Sequence, residues 1–330
     1  MKPFAYVRPA TREEALALLS PTARPKGGGF DLLDLAKAGV SSPDTMVHLA
    51  AFQSTGAVDL DGDGVPHALI DPGITLAGLA GNGIVKEHCP AVSDAAGEAA
   101  TPQVRNVATL AGNLLQRPRC VYFRDPFFDC LKRGGKTCPA LEGNHAEAAI
   151  FGNGKCCAVH PSNLAAALAA LGASVRLVSL LEGKVQERWV CVDEKFFVTP
   201  EEDPLREARL SPGDLIDAVS IPANRASAYV EVNQKQSFDW ASASCAVALK
   251  MEGGKVKEAR VVLGAVAPVP WLATEAGEAL KGRVPDEAAA KAAAEAAMKG
   301  ATPLRDNGHK VAQVRAVVRR AVLKAAERAK

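Results

Sequence analysis

Nowhere does this sequence carry an apolar run approaching the roughly 20 residues that a membrane span needs, so no transmembrane segment is expected. The opening Met1-Lys2-Pro3-Phe4-Ala5-Tyr6 lacks the apolar core of a secretory signal. That predicts a cytoplasmic chain, or one exported only by riding on a partner. Charge of one sign is missing too. Against 39 basic side chains stand 37 acidic ones, a net of +2, without the basic excess of a generic nucleic-acid binder. There is no H-E-x-x-H, no G-x-S-x-G and no P-loop, so nothing points to a self-contained hydrolase or kinase. The close C-x2-4-C pairs that usually build a structural zinc knuckle are also absent.

What is present suits a globular protein: 48% apolar and 23% charged residues over 330 positions, enough for about two domains or one with subdomains. Residues 1–55 predict a small α/β unit, with a helix over Glu13 to Leu19 entered through Thr11 and a strand over Thr45 to Leu49. Residues 56–222 predict a longer α/β stretch. It has strand character at Ala68-Leu69-Ile70 and Gly73-Ile74, a helix over Leu76 to Val85, an alanine-rich helix over Ser162 to Leu171 and a strand over Ser174 to Leu180. Pro222-Ala223-Asn224-Arg225 suggests a linker. Residues 223–330 then predict a sheet packed by helices: strands over Ala228 to Val232, Ser244 to Met251 and Val256 to Leu263, with helices over Asp286 to Met298 and from His309 onward. The last helix carries Lys310, Arg315, Arg319, Arg320, Lys324, Arg328 and Lys330, a solvated face or a surface for an acidic partner.

Two loops combine small residues with hydrogen-bonding ones. Lys26-Gly27-Gly28-Gly29-Phe30-Asp31 precedes a helical pattern, which gives either a flexible turn or a phosphate seat of backbone N–H groups at a helix start, with Lys26 adding charge. Arg105-Asn106-Val107-Ala108-Thr109-Leu110-Ala111-Gly112-Asn113 is a second such loop. Two seats suit a dinucleotide, although neither is the G-x-G-x-x-G of a Rossmann unit.

Residues 117–160 show no helical or strand period, and such a stretch inside a domain is usually functional or disordered. It holds Cys120-x9-Cys130-x7-Cys138-x17-Cys156, with Cys157 adjacent. Without an export signal, metal is favoured over disulfides. By spacing alone an iron–sulfur cluster, zinc and free thiols all stay open. Cys89, Cys191 and Cys245 lie in apolar patterns and are expected to be core thiols.

Landmarks along nearly the whole chain carry a family resemblance. Gly27-Gly28-Gly29-Phe30-Asp31-Leu32 is similar to an A-G-G-T-D-L segment, and Gln103 to Asn113 to a Q-[IV]-R-N-x-A-T-x-G-G-N segment. Lys2-Pro3-Phe4, His160-Pro161-Ser162, Gly264-Ala265-Val266-Ala267-Pro268 and the Pro303, Leu304, Asn307 spacing follow in family order. The chain thus resembles the FAD-binding middle subunit of bacterial molybdenum hydroxylases, the xanthine dehydrogenase family. Gln116-Arg117-Pro118-Arg119-Cys120-Val121-Tyr122-Phe123-Arg124 resembles the Q-R-x-R-C-W-Y-F-R run of the branch typified by bacterial periplasmic aldehyde oxidoreductase, whose flavin subunits hold a 4Fe–4S cluster.

The resemblance implies an α+β fold: the two-subdomain FAD-binding architecture of the vanillyl-alcohol oxidase type plus a C-terminal sheet-and-helix domain. It places Gly27, Gly28, Gly29, Asp31, Ala108, Thr109, Gly112 and Asn113 against FAD, with Lys26, Phe30, His160 and Asn163 in the same segments. It makes Cys120, Cys130, Cys138 and Cys156, not Cys157, the cluster ligands. It also implies a large partner with the molybdenum cofactor and a small one with two 2Fe–2S clusters, whose electrons pass through FAD to an external acceptor. Phe30 stands in place of the family's Thr, Ala111 in place of a Gly, Asn163 in place of an Asp, Gly78 where Asp is common, and Asn233 and Lys235 where Arg is usual. These departures motivate an alternative, a subunit that keeps the cluster or an assembly role without FAD. The ring of Phe30 is expected to turn into the apolar layer beside Leu33. His160 is open to two readings, contact with a cofactor or, more plainly, satisfaction of nearby backbone groups.

Overall fold

In the computed structural model, which describes residues 1–52, 56, 58–61, 66–223, 225–235 and 238–329, the chain builds three sheets in succession. The first comprises β1 (Ala5–Val7), β2 (Ala23–Lys26) and β3 (Thr45–His48), with α1 (Arg12–Leu18) and α2 (Phe30–Lys37) in the connections. All pairings are parallel, in the order β1-β3-β2. Thr11 caps α1 as expected, accepting from the Glu14 N–H at 3.2 Å. The register pairs Lys26 with His48, so the glycine loop leaves the C-terminal edge of the sheet, where parallel sheets usually present ligand sites.

The second sheet is antiparallel, in the order β4-β5-β8-β6-β7. Its strands are β4 (Val58–Asp61), β5 (His67–Ile70), β6 (Ser174–Leu181), β7 (Lys184–Cys191) and β8 (Leu215–Pro222). Between β5 and β6 run α3 (Leu76–Gly81), α4 (Gly83–His88), α5 (Pro90–Glu98), α6 (Pro102–Arg105), α7 (Leu110–Leu114), α8 (Val121–Arg124) and α9 (Asn163–Leu171). The helix expected over Leu76 to Val85 is in fact two. Asn82 is extended, and its side chain caps the second helix by accepting from the Val85 N–H at 3.1 Å. Gly73 and Ile74 form a turn instead of a strand, held by the Gly73 N–H donating to Asp71 at 2.7 Å. β7 escaped the sequence because nearly all of it is exposed and it shows no apolar alternation. Pro222, taken for linker, ends β8; Asn224 lies outside the described residues, as does position 55 at the expected first boundary.

The third sheet, order β12-β11-β10-β9, is an antiparallel meander of β9 (Ala226–Asn233), β10 (Ala241–Glu252), β11 (Lys255–Gly264) and β12 (Trp271–Leu272). It is packed by α10 (Thr274–Leu280), α11 (Glu287–Ala296) and α12 (His309–Glu327). Every residue of α9 is buried, and the helix packs on α5 as well as on β10 and β11, so one helix joins the second unit to the third. Each of its leucines contributes roughly 1.5–3 kcal/mol by burial.

The basic face expected on α12 is largely spent within the chain. Arg315 pairs with Glu295, Arg319 with Glu287, and both Lys324 and Arg328 with Asp94. Lys310 is fully buried, donating to the carbonyls of Glu147 and Ala265. Burial pushes its ammonium down to about 8. Lys330 lies outside the described residues.

Candidate functional site

The glycine loop leads into the start of an eight-residue helix, a place where free backbone N–H groups can receive an anion. Among the described residues, no hydrogen bond takes the backbone N–H groups of Gly27 to Leu32. Gly29, the N-cap, sits at φ +89°, and a Cβ there would fall 2.7 Å from Cε of Lys26. Lys26 therefore lies across the loop, its ammonium 3.2 Å from the Gly27 carbonyl and 3.5 Å from Nδ1 of His48. Burial holds its pKa below the usual lysine range. Tyr6 stacks on His48. Sequence reasoning missed this pair, because only the parallel register brings β1 and β3 to the loop.

The second loop buttresses the first. A Cβ on Gly28 would collide with the carbonyl oxygen of Val107, and one on Gly27 would stand 2.8 Å from Oγ1 of Thr109. The glycines are thus demanded by loop-on-loop contact, before any ligand is considered. Most N–H groups of the second loop are already used. Those of Leu110 and Ala111 go to Ile74 and Pro72, that of Ala108 to Val104, that of Gly112 to the Thr109 hydroxyl, and that of Asn113 to the Thr109 carbonyl. Asn113 also accepts from the Ser162 hydroxyl at 2.7 Å, which ties the loop to the head of α9.

Three residues expected in the flavin segments make contacts within the chain. Asp31 faces the cysteine stretch: its carboxylate accepts from the Arg117 N–H at 2.8 Å and from Arg124 at 2.7 Å, with Arg119 at 3.2 Å. Asn163 donates to Tyr229 at 3.1 Å and to Glu231 at 2.6 Å, across to the third sheet. His160 is buried against Phe197, accepts from the Ser162 N–H at 3.4 Å and is pushed down to about 4 by desolvation, so it is neutral. Phe30 is not turned into the apolar layer; it is 46% exposed at the mouth of the seat. Arg119 bridges three parts of the molecule, meeting Asp31 and Asp34 on one side and stacking 4.3 Å over Trp240 on the other, with its buried Nε unpartnered among the described residues.

Folding gathers the cysteine stretch. Cys138 and Cys157 sulfurs are 3.8 Å apart, and Cys138 also hydrogen-bonds Cys156; Cys120 and Cys130 are close enough to act electrostatically on the group. Backbone N–H groups act on four of these sulfurs: those of Phe123 and Tyr122 on Cys120, that of Lys132 on Cys130, those of Cys157 and Ala140 on Cys138, and that of Ala158 on Cys156. The surroundings of Cys157 are dominated instead by the Cys138 sulfur and by burial. Desolvation drives Cys120 and Cys130 up, while shared protons from Cys156 and Cys157 pull Cys138 down. Among the described residues, no three His, Cys, Asp or Glu side chains are placed to hold a metal ion together. Cys89 and Cys245 are core thiols as expected, but Cys191, at the end of the exposed edge strand β7, is exposed.

A helix start with free N–H groups at the edge of a parallel sheet, a second α/β layer and a meander domain fit the class of nucleotide-binding proteins. Comparison with known proteins makes this particular. The FAD binding domain of molybdopterin dehydrogenase matches residues 2–224, and the CO dehydrogenase flavoprotein C-terminal domain matches residues 227–329. The chain belongs to the family of FAD-binding subunits of molybdopterin dehydrogenases. It is 35% identical over 277 residues to the aldehyde oxidoreductase FAD-binding subunit PaoB of Escherichia coli, covering 82% of this chain and 84% of that one. It is 27% identical to the carbon monoxide dehydrogenase medium chain of Afipia carboxidovorans, covering 99% and 98%. A solved carbon monoxide dehydrogenase from Hydrogenophaga pseudoflava superposes with a TM-score of 0.74 at 25% identity, covering 99% of this chain and 98% of its counterpart. The chain is thus an oxidoreductase flavoprotein subunit with an electron-transfer role, built on the α+β fold expected for it.

Proposed function

We propose that this chain carries both FAD and a 4Fe–4S cluster, and that it works between a small 2Fe–2S subunit and an external electron acceptor in a complex whose large subunit holds the molybdenum cofactor. The observation that carries the cluster is the set of four cysteines, Cys120, Cys130, Cys138 and Cys156, each with a backbone N–H donor from within two residues downstream. Such hydrogen bonds to sulfur are a lever by which proteins tune iron–sulfur centres. Thiolate donors suit iron–sulfur chemistry, and Cys157 is left as a neighbour instead of a ligand.

For the flavin, the unpartnered amides of Gly27 to Leu32 fit a pyrophosphate, with Lys26 above them and Phe30 at the mouth. Thr109, Gly112 and Asn113 hold the second wall, and Ala108 presses its backbone on Gly28. Flavin, when bound, supplies the electron storage; this chain supplies the seat, the charge and the distance. The departures from the family pattern argue for accommodation instead of loss. Asn163 donates to Glu231, where an aspartate would set two carboxylates together, and Ala111 contributes a backbone N–H that is already in use. We assign residues 1–55 and 56–222 to the flavin subdomains, the second with the cluster loop 117–160, and residues 223–330 to the C-terminal domain. No helix among the described residues is long and apolar enough to cross a membrane. We place the complex in the cytoplasm, or in the periplasm if a partner carries the export signal.

The test is the whole complex, coexpressed and purified anaerobically. Expected are FAD released on denaturation and, relative to a Cys120→Ser complex, an excess of roughly four irons with matching sulfide. A complex that releases no FAD removes the flavin assignment; one with zinc in place of iron removes the cluster.

A further inference from the structure

A lysine that turns its backbone N–H to Cys130 buries its side-chain charge beside the cysteines. Lys132 follows Cys130 by two residues, and its side chain is only 3% exposed. Its ammonium donates to the Pro204 carbonyl at 3.1 Å and meets Glu207 at 2.9 Å. Glu207 is shared, because Arg117 binds the same carboxylate through two nitrogens at 2.8 and 3.0 Å. Two cations therefore face one anion, and the group keeps one positive charge. That charge borders the sulfurs. Lys132 acts electrostatically on Cys130, on Cys156 and on neighbouring His160, while the Arg117 guanidinium lies 4.6 Å over Phe123, a ring packed against Cys130.

Burying a surplus charge is costly, and a methionine would fill the same space without that cost. The surplus has a use if the site it faces becomes more negative. A cluster held by four thiolates is anionic, and reduction adds one electron with no proton and no bond made or broken. A fixed cation in a poorly screened interior stabilises the reduced form and raises the potential. Arg133, the next residue, also acts electrostatically on Cys130, but its guanidinium reaches toward the surface, where it donates to the carbonyls of Asp125 and Phe128. We propose that the Lys132–Glu207–Arg117 group is a built-in electrostatic bias on the cluster, and that Lys132 is the positioning residue that makes this cluster an electron acceptor instead of a low-potential donor. The inference rests on the cluster reading above.

The test is a redox titration of the anaerobic complex, followed by the EPR signal of the reduced 4Fe–4S centre, with iron counted in each sample. Lys132→Met keeps the backbone N–H to Cys130 and leaves Glu207 paired with Arg117. It should disfavour reduction about tenfold at fixed ambient potential, a fall of about 59 mV for a one-electron couple. Lys132→Arg should leave the midpoint in place. Glu207→Gln, titrated at mildly acidic pH, removes the anion and should move the midpoint the opposite way. Opposite shifts from two neighbours cannot come from a merely structural role. An unchanged midpoint in Lys132→Met, shifts of the same sign in both variants, or cluster loss in Lys132→Met with an unmoved Glu207→Gln midpoint would each overturn the proposal. A wild-type complex without the extra irons would instead overturn the cluster reading itself.

Discussion

The glycine seat and the cysteine loop are built on opposite principles. The seat works by what it omits: three glycines let a second loop press against the first, and a helix start is left with free N–H groups. The cysteine loop works by what it converges: sulfurs spread over 37 positions of sequence, Cys120 to Cys156, are drawn together and each is met by a backbone donor. The first can be disturbed by adding an atom, the second by removing one. The two are also joined, since Asp31 on the seat helix clasps Arg117, Arg119 and Arg124 of the cysteine loop.

The largest effects should come from the sulfurs. Serine at Cys120, Cys130, Cys138 or Cys156 should abolish most of the cluster iron, whereas Cys157→Ser should retain it. Equal loss from Cys157→Ser, by iron and sulfide assay, would move the fourth ligand by one residue. Next is Gly28→Val, whose added carbons run into the Val107 carbonyl. It should remove flavin and also destabilise the chain, by about 1–3 kcal/mol as for other overpacked sites. Flavin loss at unchanged melting temperature would mean that the glycine serves the ligand alone.

The clasp comes third. Asp31→Asn should cost about 1.5–3 kcal/mol, the usual range for hydrogen bonds to charged groups, and should lower iron retention more than flavin retention. The reverse order, measured on one preparation, would return Asp31 to the flavin. The smallest effect is set by pH. Lys310, which ties α12 to the Glu147 carbonyl at the far end of the cysteine loop, titrates near 8 when folded and at the ordinary lysine value when unfolded. Between those values the unfolded chain holds more protons, so this residue's contribution to stability rises with pH from about 8 to about 10.4 and is flat below. In thermal melts across that window the wild type should gain stability relative to Lys310→Met as pH rises; parallel curves would show that the buried ammonium keeps its ordinary titration.

Much of the local structure was legible. The Thr11 cap, the alanine-rich α9, the three long strands of the last sheet and the two final helices carry their periodicity or capping in adjacent residues, where short-range sterics and apolar spacing decide the outcome. The exposed strand β7 and the split of α3 from α4 were not, because one has no buried face to pattern and the other turns on a single extended residue, Asn82. At the site, the sequence identified which residues are chemically able: glycines without side chains, thiols in one stretch, a lysine beside a loop. It did not show that Asp31 and Asn163 reach across to other loops, because short polar side chains look the same on paper whether they meet a ligand or another loop.

By itself, then, the sequence determined the family and most of the elements, and named the residues chemically able to serve as donors, since these depend on residue identity and near neighbours. Only the tertiary structure decided that Val107 and not a phosphate is what first excludes a side chain at Gly28, that Asp31 belongs to the arginines, and that Lys132 and Arg117 share one carboxylate beside the sulfurs. Each of those is a contact between residues 70 or more positions apart, and such contacts are set by how whole units pack, which no local pattern encodes.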